Sequence, residues 1–274
     1  MDGGQWDWIV PAGLWEIVRP SPSPSAPRVR PQGGGIVGVA DEAVFAAVVC
    51  VLVSGCAWRA LPPCFAASKS TVHRRFLIWS RAGVWHRLHQ AVLDRLADDG
   101  LLDVSRVVLG SAHVRAKKGD EHTGPSPVDR GQPGSKLHIL SDAAGLPLVV
   151  GLSAASFHDS RRLKPMVLAL PLRHDPVRGG CRKPGKLHAD KAFDHPELRR
   201  RLCGRRIGVC ITRKGVESGQ RLGRHRWVIE RTISWLLGYR RLSPRYERYP
   251  HVYLAFSPLV AALVCHKRHL KLTM

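Results

Sequence analysis

Two acidic residues in this sequence interrupt stretches that would otherwise be apolar. Asp190, in LHADKAFD, comes directly after a short apolar run, the place where the carboxyl end of a strand in an α/β protein gathers reacting groups. Glu230, in RWVIERTISWLL, falls among Trp227, Ile229, Ile233 and Leu237 with Arg226 and Arg231 beside it. A carboxylate so close to an apolar helix face is unfavourable unless it meets a cation. Two readings of Glu230 stay open on spacing alone: an ion pair with Arg226 one turn earlier, or a metal ligand reaching toward Asp190. Asp190 and Asp194 both precede a helix beginning near Pro196, and Asp194 is placed to cap it, whereas Asp190 lies too far upstream. A pair of divalent cations about 4 Å apart, held by carboxylates from several elements, suits phosphodiester chemistry, and Mg²⁺ or Mn²⁺ needs only oxygen ligands and water. A third carboxylate is then expected from the first, central strand.

That strand is VVLGSAHVRAKKG, positions 107 to 119. It places Gly110 where a side chain would be presented, then runs out into His113, Arg115, Lys117 and Lys118, which are candidate phosphate contacts. Asp103 precedes the strand and Asp142 lies at the far end of the next one, so neither is placed to substitute. An ordinary strand φ at position 110 would accept an aspartate.

The charge of the chain agrees with an anionic partner. Over 274 residues the net charge is +22 and the pI is near 10.7. Residues 1–100 hold 10 Lys and Arg against 8 Asp and Glu, a net of +2, and residues 101–274 hold 33 against 13, a net of +20. The cations are spread over many short segments between apolar runs, which favours nucleic acid over a membrane surface. Seven cysteines, an odd number without a C-x-x-C pair, indicate neither a zinc ribbon nor a disulfide framework, and point to a reducing, cytoplasmic setting. The apolar run Ala43 to Val53 is too short to span a bilayer.

The elements that must position these residues follow from periodicity and punctuation. Residues 1–35 read as a short Trp-containing lead and a Pro/Ser/Gly-rich linker, 36–100 as a helical DNA-binding domain and 101–274 as a catalytic domain. A buried helix begins at Asp41, its N-cap candidate, and stops at Gly55. A second is capped by Ser70 and carries Val72, Phe76 and Trp79 on one face and Arg74 and Arg75 on another, and a third follows Gly83 with Trp85, Leu88 and Val92 turned inward. Helix, tight turn, helix fits a DNA-binding arrangement and equally any small helical domain. After Gly100 come strands at SRVVLG, SKLHILSD and LPLVVGLS, a helix near Arg161 to Leu170, a strand at GKLHAD, a helix at HPELRRRLCGRR, a strand at VCIT and a long amphipathic helix from RHRW. A meander followed by alternating strands and helices gives a mixed α/β sheet.

In order along residues 55 to 250, SGCAWRALPP, STVHRRFLIWSRAGVW, HVRAKKG, HTGPSPVDRGQPGSKLHIL, GLPLVV, HDS, ADKAFD, RKGVE, RWVIERTISWL and RLSPRYE resemble the transposases of IS5-type insertion sequences. The resemblance implies an RNase H-like fold behind a helix-turn-helix-like amino-terminal domain, and a DDE triad whose second and third members fall on Asp190 and Glu230. The first falls on Gly110, so its carboxylate is missing and activity is expected to be impaired. It further implies Mg²⁺ or Mn²⁺, held by Asp190 and Glu230, as cofactor. The expected partner is double-stranded DNA, both terminal inverted repeats and target, bound by a homo-oligomer associated with the nucleoid. The expected reaction is cleavage followed by strand transfer. Lys191, Arg226, Arg231, Arg74 and Arg75 join the candidate DNA contacts. The rival from another class is a DNA-binding protein without catalysis derived from a decayed transposase. A basic RNA-associated protein would instead carry stacking aromatics on a sheet face.

Overall fold

The structure is a computed structural model, and it describes residues 5–19, 38–170, 173–174, 181–213 and 223–273. The Pro/Ser/Gly-rich tract and RKGVE beyond Arg213 lie outside those residues. Among the described residues, the helices α1 (Leu14–Val18), α2 (Asp41–Ser54), α3 (Lys69–Arg81), α4 (Val84–Asp98), α5 (Ser160–Leu168), α6 (Pro196–Gly204), α7 (Gly223–Leu237) and α8 (Pro250–Thr273) surround a mixed sheet. Its main strands are β1 (Arg106–Arg115), β3 (Pro133–Ser141), β4 (Pro147–Ala154), β7 (Lys186–Ala189) and β8 (Gly208–Ile211). A short β2 (Gly124–Pro125) pairs with the start of β3, and β5 (Arg173–His174) pairs with β6 (Cys181–Arg182) apart from the sheet.

β1 lies centrally, antiparallel to β3 and parallel to β7, with β4 antiparallel on β3 and β8 parallel on β7. The expected meander and alternation are thus both present, and the fold is a mixed sheet with flanking helices, preceded by a helical amino-terminal region. Register separates the two faces. Gly110, Ile139 and Val150 are cross-strand partners on the side where α7 brings Ile229, and Ser111, His138 and Gly151 are partners on the side where α5 brings Met166. α7 and α8 therefore cover one face and α5 and α6 the other. The amino-terminal helices stack outside the first of these, through α4 against α8. The lead joins them too: Trp6, Val10, Leu14 and Val18 are buried, and Ala12 O bonds the His266 ring.

Three local expectations are corrected. Ser68, not Ser70, caps α3, its Oγ accepting from Thr71 N–H at 3.2 Å. Asp41 is the first residue of α2 and does not cap it; its carboxylate pairs with Arg75. Asp194 leaves the start of α6 uncapped and holds Arg199, whose Nε donates to it at 2.7 Å. In the last two cases an arginine elsewhere offers a carboxylate more than a single backbone N–H does.

Candidate active site

β7 pairs with β1 only over Arg106–Leu109, so β1 runs on past the end of its neighbour and leaves a gap at the carboxyl ends of the parallel strands. The gap is a cleft of about 210 Å³, lined among others by Gly110, Ser111, Asp159, Asp190, Phe193 and Glu230. Three elements far apart in sequence thus bring the three expected triad positions to one cavity.

Each is held for a local reason. Asp190 directly follows β7 and is half-buried; its Oδ1 accepts Lys191 N–H at 2.5 Å and so caps the turn Lys191–Phe193, which Phe193 anchors in the core. Glu230 is exposed on α7, next to Ile229, which is buried against Gly110. Gly110 is half-buried in regular strand. Asp142 and Asp103 are excluded as substitutes. Asp142 is fully buried in the β3–β4 hairpin and accepts Leu146, Ala144 and Asp103 N–H, while Asp103 accepts Ser105 N–H. Burial pushes the Asp142 carboxyl up to about 6 against those hydrogen bonds.

Asp159 is a lining residue that residue-by-residue reasoning missed, although HDS is one of the words carrying the resemblance. Its Oδ1 is 3.2 Å from the buried Lys136 Nζ and 3.7 Å from His138 Nδ1. Lys136 also donates to Phe157 O at 3.1 Å, and His138 Nε2 meets Ser153 Oγ at 2.8 Å. Burial lowers His138 to about 4 even though Asp159 acts in the opposite sense. Asp159 is therefore directed into the α5 side of the sheet. Among the described residues no three His, Cys, Asp or Glu side chains are arranged to hold one metal ion. The donors that Asp190 and Glu230 present are hard oxygens, which fit Mg²⁺ or Mn²⁺ completed by water, and position 110 adds none.

Of the candidate DNA contacts, Arg115, Lys117, Lys118, Lys191 and Arg74 are exposed. At about 3.3 Å per residue, β1 carries Arg115 about 17 Å from Gly110, and Lys117 and Lys118 follow beyond its end. His113 is half-buried with Nδ1 3.3 Å from Ser126 Oγ, and burial lowers its pKa. Arg231 is half-buried; its guanidinium lies 4.4 Å from the Trp227 ring and 4.7 Å from the Trp235 ring and donates to Ala144 O at 2.5 Å. Arg75 is corrected. It is 5% exposed, pairs with Asp41 and donates to Val39 O, so it fastens α3 to α2 and faces no solvent. The side chain of Arg226, and with it the proposed Glu230 ion pair, lies outside the described residues.

The family model described as "Transposase DDE domain" matches residues 100–265, and that described as "Putative transposase of IS4/5 family" matches residues 10–89. A protein of Burkholderia cepacia described as "Putative transposase for insertion sequence element IS402" is 40% identical over 151 residues, 54% of this chain and 70% of that protein. "Insertion element IS402 uncharacterized 16.2 kDa protein", of the same organism, is 32% identical over 120 residues, 43% of this chain and 81% of that protein. Among solved structures, the Mos1 transposase paired-end complex with left transposon end is 12% identical with a TM-score of 0.34, covering 87% of this chain and 78% of that one. The Mos1 mariner paired end complex with Mn gives the same values.

Proposed function

The chain belongs to the DDE transposases of the IS4/5 family, and from that premise we propose that it acts on the terminal repeat DNA of an insertion sequence by metal-dependent phosphodiester hydrolysis and strand transfer, slowed by the loss of the first triad carboxylate. The observation that supports this reading best is the meeting of Gly110, Asp190 and Glu230 at one cleft beyond the end of β7. Asp190 and Glu230 would hold Mg²⁺ or Mn²⁺. When bound, such a cation lowers the pKa of an attacking water or hydroxyl and stabilises the leaving oxygen. The protein's part is positioning: β7 and its turn fix Asp190, α7 brings Glu230, and the overshooting half of β1 borders the scissile phosphate with Arg115, Lys117 and Lys118 following along the backbone. In this reading residues 36–100 form a DNA-binding unit that selects the ends, residues 101–274 carry the chemistry, the chain assembles as a homo-oligomer on end and target DNA, and it works in the cytoplasm on the nucleoid. Among the described residues no helix is long and apolar enough to cross a membrane.

The test pairs calorimetric Mn²⁺ titration with a nicking assay on end DNA. Glu230→Gln, which keeps shape and removes charge, is expected to weaken Mn²⁺ binding at least tenfold while the melting temperature holds. Unaltered metal affinity with lost stability would leave Glu230 a structural ion-pair partner and overturn the assignment. A second reading, a DNA-binding protein without catalysis, draws on one observation: Ile229 packs into the space that a side chain at position 110 would use. Slow but Mn²⁺-dependent nicking that Asp190→Asn abolishes decides for the enzyme; its absence decides for the second reading.

A further inference from the structure

The α5–α6 side of the sheet carries a cationic surface that the reading above leaves unused. Arg161 and Lys164 on α5, and Arg200 and Arg205 with Lys183 on and beside α6, are exposed, and among the described residues none has a carboxylate within ion-pairing distance. The acids nearby are largely engaged elsewhere: Asp159 faces Lys136 and His138, and Asp194 holds Arg199. Glu197 is the exposed exception on α6. Arg161 and Arg162 lie over the Phe157 ring, their guanidinium carbons 5.6 and 5.3 Å from its centre, which fixes the position of the two charges.

The surface has a direction. α6 begins just after the Lys191–Phe193 turn at the cleft and runs back to Gly204, so Arg205 and Lys183 stand near the opposite, amino ends of β7 and β8. Nine helical residues cover about 14 Å, or about four base pairs of B-DNA. Lys191 and Arg161, beside Asp159 at the cleft, mark the other end of the same path. The amino-terminal helices, by contrast, stack on α8, beyond the opposite face of the sheet.

We propose that the α5–α6 face is a track for the phosphate backbone of a second DNA duplex, separate from the one held by the amino-terminal helices, and that it delivers that duplex to the cleft. The inference rests on reading the chain as a transposase acting on DNA, and it names where the reaction's other duplex lies. A duplex backbone suits this face better than a single strand does. Single strands are held by exposed aromatic rings on which bases stack, and the exposed aromatics among the described residues, Trp8, Trp227, Tyr246 and Tyr249, all lie off α5 and α6.

The experiment uses the full chain in EDTA with two mixed-sequence duplexes of about 30 base pairs, one on beads and one fluorescent. The unmodified chain is expected to bridge them. Arg161→Gln/Arg200→Gln/Arg205→Gln should still bind the beads yet capture the fluorescent duplex at least tenfold less well, with an unchanged melting temperature. Removing three phosphate contacts should also make the slope of log affinity against log salt shallower by about 2 to 3. Bridging and salt slope both unchanged in the variant would overturn the track. Stronger competition by single-stranded RNA than by duplex DNA would overturn it too, since the face would then serve another partner. Neither cation nor cleavage enters the assay, so a chain that bridges but never nicks keeps the track and loses the enzymatic reading, and intact Mn²⁺ binding without any effect of the variant does the reverse.

Discussion

At Gly110 the sequence and the structure give different halves of one answer. The backbone there is ordinary strand, so a β-carbon meets no conformational penalty. The neighbour is the obstacle. An ideal Cβ at position 110 would sit 2.6 Å from Ile229 Cγ1 and 3.2 Å from its Cγ2. A β-branched side chain in a helix has essentially one χ1 rotamer, so Ile229 cannot simply turn aside, and α7 itself has to shift. Gly110→Asp alone is therefore expected to destabilise the fold by about 1–3 kcal/mol, as overpacked sites do, and to recover Mn²⁺ affinity poorly. Ile229→Ala removes both γ carbons, and in the double variant the new carboxyl occupies the space that isoleucine leaves. Thermal melts and Mn²⁺ titrations of the two single variants and the double should show strong non-additivity, with the double more stable than the sum of the two losses and tighter for metal than either. Additive stabilities, or metal affinity restored by Gly110→Asp alone, would show that Ile229 does not control the position.

At the scale of elements, the order of strands and helices was legible because apolar runs, glycines and prolines mark boundaries directly. The turn that fixes Asp190 and the α7 segment bearing Glu230 stand where their apolar neighbours place them. What stayed hidden are the charged residues turned inward, since an arginine in a basic sequence reads as a surface cation. Arg75 is one case and Arg245, in RLSPRYE, the larger one. Fully buried, it donates from Nε to Glu247 O at 3.1 Å, from Nη1 to Ser135 Oγ at 2.8 Å and Thr123 Oγ1 at 3.1 Å, and from Nη2 to Glu121 O at 3.1 Å and Arg248 O at 2.7 Å. Its backbone bonds Arg115 O and Lys117 N as well. Arg245 thus ties three segments together, its backbone holding the end of β1 and its guanidinium the loop after Lys118 and the start of β3, and so sets where the cationic loop stands. Lysine has three donors at one point and cannot reproduce this fork. Arg245→Lys leaves several buried acceptors unmet at roughly 1–3 kcal/mol each, so a loss of about 3 kcal/mol or more in urea unfolding is expected, with new proteolytic cuts in residues 117–131. Unchanged stability would show that water replaces the clamp.

For the whole molecule, the titrating groups turned into the protein set how stability follows pH. His89 is buried at the α4–β4 contact with Nε2 2.8 Å from Pro147 O, and burial lowers it to about 4; His138, beneath α5, is lowered to about 4 for the same leading reason. His73, His86, His113, His122 and His266 are shifted in the same direction, burial first in each case. The unfolded chain takes up these protons near 6.5, whereas the folded chain resists them. Between about pH 4 and 6.5 the unfolded state therefore binds more protons, and folding stability rises with pH across that window. Asp142 has the opposite sign: folded, it keeps its proton to about 6, and unfolded it releases it near 3.8, so its contribution declines as pH rises between those values. Each pKa unit corresponds to about 1.4 kcal/mol. His89 and His138, two groups against one and joined by the other lowered histidines, outweigh Asp142, so acidification from pH 6.5 to 4 should cost several kcal/mol and lower the melting temperature steadily. His89→Gln can keep the bond to Pro147 O without titrating, as His138→Gln can keep that to Ser153, and the double variant is expected to flatten most of the acid limb while the melting temperature at pH 7.5, about one unit above the free histidine range, changes far less. An acid limb of undiminished slope in that double variant would assign the acid sensitivity to the remaining histidines or to repulsion among the excess of 22 positive charges, and raising the salt concentration separates these two, because screening weakens charge repulsion and leaves the desolvation of buried imidazoles in place.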